Sequence, residues 1–68
     1  MDYTKEFLEE VEKQVDMQTE YSAPNIWLEC QTKNGKNRIV ELIVNMAIDT
    51  DRTPSQCISD LEMTLNNE

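Results

Sequence analysis

Glu6, Glu9, Glu12, Asp16 and Glu20 recur at intervals of three and four residues. On a helix those intervals bring the carboxylates onto one flank. Glu9 to Glu20 would extend over about 16 Å, with neighbouring acids about 5–6 Å apart. That spacing is comparable with the phosphates along one strand of a nucleic-acid duplex. The chemistry open to such a row is charge recognition, in which fixed carboxylates attract a basic surface and raise its rate of encounter. Proton transfer is the other option. Pairs such as Glu9 with Glu12, however, belong on the exposed flank of a helix, where paired carboxylates are far more often solvated surface than a catalytic dyad.

Other chemistry finds little equipment. The chain has no histidine, a single glycine, Gly35, and two cysteines, Cys30 and Cys57. It therefore lacks a neutral-pH acid–base group and a glycine-rich phosphate loop. Two thiolates without histidine are too few for a structural zinc site. Asp49-Thr50-Asp51 lacks the glycine and closing glutamate of a calcium loop. Cys57 falls in the first turn of a predicted helix, where the dipole favours thiolate, but its spacing from Ile58 and Leu61 assigns it to the apolar face. Both cysteines are read as free thiols in a reducing compartment. The expectation is a non-enzyme without catalytic residue, cofactor or metal, whose partner-binding residues are Glu6, Glu9, Glu12, Asp16 and Glu20.

Three helices are predicted to position these groups, and the fold class is mainly α. Residues 3–20 carry the apolar stripe Phe7, Leu8, Val11 and Val15, with Asp2 or Thr4 available as a cap. Tyr21-Ser22-Ala23-Pro24 ends that helix. Thr53-Pro54-Ser55-Gln56 is a capping box that starts a helix over 54–66, with Cys57, Ile58, Leu61 and Leu65 on one face. Residues 37–49 place Arg38, Glu41, Asn45 and Asp49 in a polar stripe on an otherwise apolar segment, which favours a helix there. A short element at 25–33 precedes it. In this reading it is a helix over 24–33, followed by Gly35 in the left-handed conformation. The competing reading takes Asn34-Gly35 as a hairpin turn with Cys30 opposite Ile39, which gives an α-β-β-α chain.

The 68 residues make one small domain, 1–68, and a core of that size leaves little margin of stability. A homodimer is the expected remedy, with Trp27 as a core or interface anchor. No apolar run approaches a membrane span, and Met-Asp-Tyr-Thr-Lys-Glu lacks the character of a secretion signal, so a cytoplasmic location is expected. The formal net charge of −8 is uneven. Residues 2–21 hold seven acids and two lysines, 22–48 two acids and three bases, and 49–68 five acids and one arginine. Such a surface repels phosphates, which argues against direct binding of nucleic acid. A helix-turn-helix over 37–49 and 54–66 would offer Gln56, Ser59 and Asp60 on its second helix, with no base for phosphate.

In size, acidity and lack of catalytic equipment the chain resembles small host-takeover proteins of lytic bacteriophages, DNA mimics among them. The resemblance covers general character and rests on no motif. It implies an inhibitor acting in the host cytoplasm on a basic DNA-binding protein, with the nucleoid protein HU or the transcription machinery as candidates. Acyl carrier proteins, also small and acidic, are excluded because Ile58-Ser59-Asp60-Leu61 reverses the order of their attachment motif. The alternative function is an adaptor or small regulator that binds through an apolar surface around Trp27, Met17, Tyr21 or Met63.

Overall fold

The computed structural model describes residues 5–67. Four helices follow one another, α1 (Lys5–Asp16), α2 (Pro24–Glu29), α3 (Lys33–Thr50) and α4 (Pro54–Asn66), and no strand occurs among the described residues. The hairpin reading is thereby set aside. Its turn, Asn34-Gly35, instead lies in the first turn of α3. There Thr32 Oγ1 accepts the Gly35 N–H at 3.0 Å and acts as the N-cap. The i, i+4 repeat of Ile39, Ile43 and Ala47 then buries one face of α3. Arg38, Glu41, Asn45 and Asp49 all lie on its exposed side, as their spacing requires.

Three boundaries differ from the sequence reading. The start predicted at residue 3 lies outside the described residues, but α1 stops at Asp16, short of 20. Beyond it, side chains compete for the backbone donors. Thr19 Oγ1 accepts from Tyr21 and Ser22 N–H at 3.2 Å, and Thr19 N–H donates to Ser22 Oγ at 2.8 Å. Second, α3 begins four residues before 37 and extends to Thr50. Third, the short element ends at Glu29, and Gly35 has no positive φ. What Gly35 supplies is closeness. A Cβ there would run into the Glu29 carbonyl, so the missing side chain lets α3 start directly under the end of α2.

The core is assembled from all four helices and from the residue preceding α2. Val11 and Val15 meet Ala23, Ile26, Ile39, Ile43, Ala47, Cys57, Ile58 and Leu61, with Phe7, Val40, Val44 and Leu65 packed around them. Leu8, assigned to the α1 stripe, is 41% exposed instead. Helix α4 begins as its sequence predicts, with a reciprocal capping box. Thr53 Oγ1 accepts from Gln56 N–H, and Gln56 Oε1 accepts from Thr53 N–H, each at 3.3 Å. Helix α3 ends on Asp51, which takes the left-handed conformation at φ 54° and ψ 38°. The Asp51 N–H still reaches the Ala47 carbonyl at 2.9 Å, so the last turn stays closed.

Candidate partner-binding surface

Burial of Val11 and Val15 turns the charged side of α1 outward, and Glu6, Glu9 and Glu12 are exposed along it. No carboxylate of the three makes a hydrogen bond or ion pair among the described residues. Their charge is not the whole face, because Lys5 and Lys13 stand on the same helix and are also exposed. Glu10, which shares the helix, is engaged locally as its carboxylate accepts from Gln14 Nε2 at 3.0 Å.

The remaining two predicted site residues behave differently. Asp16 holds Lys36 of α3 at 2.7 Å. That hydrogen bond raises the Lys36 pKa above the ordinary lysine value; partial desolvation opposes it, while the negative charges of Asp16 and Glu12 reinforce it. Glu20 lies past the helix in the Thr19–Ser22 turn and is exposed. It cannot continue the row. The helical array therefore runs from Glu6 to Asp16, a rise of about 15 Å. Its last member is already paired within the chain.

Glu62 is the carboxylate that the sequence reading missed. From α4 it reaches the start of α2, where one oxygen accepts Ile26 N–H at 2.9 Å and Asn25 N–H at 3.1 Å, and the other accepts Asn25 Nδ2 at 2.7 Å. The residue before α2 is Ala23, which has no side-chain acceptor, so Glu62 supplies the cap that α2 lacks. Asp60, also on α4, pairs with Arg52. No local signal marks Glu62, since its partners lie 36 and 37 residues away.

Burial pushes both thiol pKa values up. Burial raises the Cys57 pKa, the nearby Asp60 adds to the rise, and the Thr50 hydroxyl and Arg52 oppose it. Burial likewise raises Cys30, with Lys36 opposing and Asp16 and Glu29 reinforcing. Both cysteines are free thiols.

The apolar candidates differ in exposure. Tyr21 is 90% exposed in the turn after α1, Met17 is exposed just past the end of α1 and Met63 on α4, while Trp27 is half-buried on α2. Among the described residues there is no pocket and no group of side chains with metal-binding geometry. No helix among them is long and apolar enough to cross a membrane. No family model, curated protein or solved structure matches this chain.

Proposed function

We propose that this chain is a non-enzymatic, acidic interaction protein that presents carboxylates to a basic DNA-binding surface, in the manner of a phage DNA mimic. The observation that supports this reading is the set of exposed carboxylates Glu6, Glu9 and Glu12, without hydrogen bond or ion pair among the described residues, on a helix of a chain with net charge −8. Charge fixed on a folded helix attracts a basic partner without the entropic cost of ordering a tail. Asp16 contributes to the field while tethered to Lys36, and Glu20 adds its charge from the turn past the helix.

The partner class is a host protein that binds DNA electrostatically, such as HU or the transcription machinery, in a cytoplasmic setting. A homodimer would present two such rows. The test is competition, with labelled duplex DNA bound to purified HU or RNA polymerase and titrated with this protein at increasing salt. The expected result is displacement of DNA that weakens steeply as salt rises. The triple variant Glu6→Gln, Glu9→Gln, Glu12→Gln should lose the effect while keeping its helical circular dichroism. Displacement by the triple variant equal to that of the parent protein would overturn the proposal, and capture dependent on Tyr21 and Met17 at high salt would favour an apolar adaptor.

A further inference from the structure

Asn34-Gly35 makes no hairpin, yet its chemistry remains. In an Asn-Gly pair the glycine nitrogen can attack the asparagine side-chain carbonyl, because no Cβ shields it and glycine reaches the backbone angles that ring closure needs. Asn34 is exposed to water. The attacking atom is not free. Gly35 N–H donates to Thr32 Oγ1 at 3.0 Å, and the first turn of α3 keeps Asn34 helical.

We propose that Asn34 is a modification site, deamidated by its own neighbour, and that the Thr32 cap sets the rate by holding the first turn of α3 closed. When that turn opens, Gly35 N forms a bond to Asn34 Cγ and the Cγ–Nδ2 bond breaks. The side-chain nitrogen leaves as ammonia, carrying the proton lost from the Gly35 amide. Water then opens the cyclic imide at either carbonyl, giving aspartate or isoaspartate, and the new carboxylic acid ionises.

The two products act differently on the fold. Aspartate at the second helical position suits the positive end of the α3 dipole. Isoaspartate routes the main chain through Cβ and displaces Gly35 from beneath the Glu29 carbonyl, where no extra atom fits. Either product adds a negative charge close in sequence to Lys33, Lys36 and Arg38, three of the chain's six basic residues. The reaction is independent of the proposed partner.

The whole chain is incubated at mildly alkaline pH, with and without urea, and residue 34 is followed by mass spectrometry of its peptide and by isoaspartyl methyltransferase labelling. The native protein is expected to lose the Asn34 amide roughly tenfold or more slowly than the urea-unfolded chain, because only the opened turn reacts. Thr32→Ala should accelerate native loss about fivefold, the change expected for removing one helix cap, whereas Thr32→Ser should stay close to the parent rate. Equal rates with and without urea overturn the proposal, as do equal rates for the two Thr32 variants when both are folded. If Thr32→Ala fails to fold, the native-to-urea ratio of the unmodified sequence decides alone.

Discussion

The two acidic ends of this chain look alike by composition and differ in what their carboxylates do. On α1, Glu6, Glu9 and Glu12 are exposed and make no hydrogen bond or ion pair among the described residues. On α4, Asp60 pairs with Arg52 and Glu62 caps α2. A count of charges treats the two ends as equivalent. The hydrogen bonds separate a surface available to a partner from acids already committed to the fold, so acidity in a sequence measures the first only after the second has been subtracted.

Substitution can test that contrast, and the largest effect is expected at Glu62. Glu62→Gln removes a charged acceptor from three N–H donors and should lower unfolding free energy by about 1.5–3 kcal/mol, the range for hydrogen bonds to a charged group. Urea denaturation would measure it. A cost as small as that of a surface carboxylate would erase the distinction between the two ends. At the end of α3, Asp51→Gly should raise stability in the same assay by about 0.5–1 kcal/mol. It relieves the left-handed strain and removes a negative charge from a helix C-terminus, less the added chain entropy of glycine.

The Asp16–Lys36 pair lies between these extremes, being an acid of α1 that is engaged. Asp16→Asn should cost about 0.2–1 kcal/mol because both partners are substantially exposed. Its pH dependence has a definite sign. The folded-state pKa of Lys36 is raised, so the pair's contribution is complete below the unfolded lysine value and fades as pH rises through the folded one. The loss belongs to strongly alkaline solution, and Asp16→Asn should flatten that part of the stability profile. Smallest of all, Glu6→Gln, Glu9→Gln and Glu12→Gln should each change stability by no more than about 0.5 kcal/mol. A larger loss from any of them would place that residue with Glu62.

The parts of the fold legible in the sequence are those specified locally. Thr53 and Gln56 start α4 within four residues, and the polar stripe of α3 identifies it as a helix despite its β-branched residues. What was not legible depends on distance along the chain. Gly35 offered two local uses, a turn and a left-handed cap, and the fold uses a third that requires the Glu29 carbonyl above it. The end of α1 depends on two hydroxyls, Thr19 and Ser22, whose preference for caps over helix interiors was a signal available and unused. Of the candidate row, Glu6, Glu9 and Glu12 follow from the period of Val11 and Val15. The pairing of Asp16 could not be read without the position of α3.

The Glu62 cap also constrains the order in which the molecule is made. A helix of six residues cannot offset its own nucleation cost, and the carboxylate that completes α2 is translated 36 residues after Ile26. While the chain emerges from the ribosome, residues 24–29 therefore have no reason to stay helical until α4 has followed them out. The fourth helix completes the second, so a local element of this fold waits on the last part of the described chain.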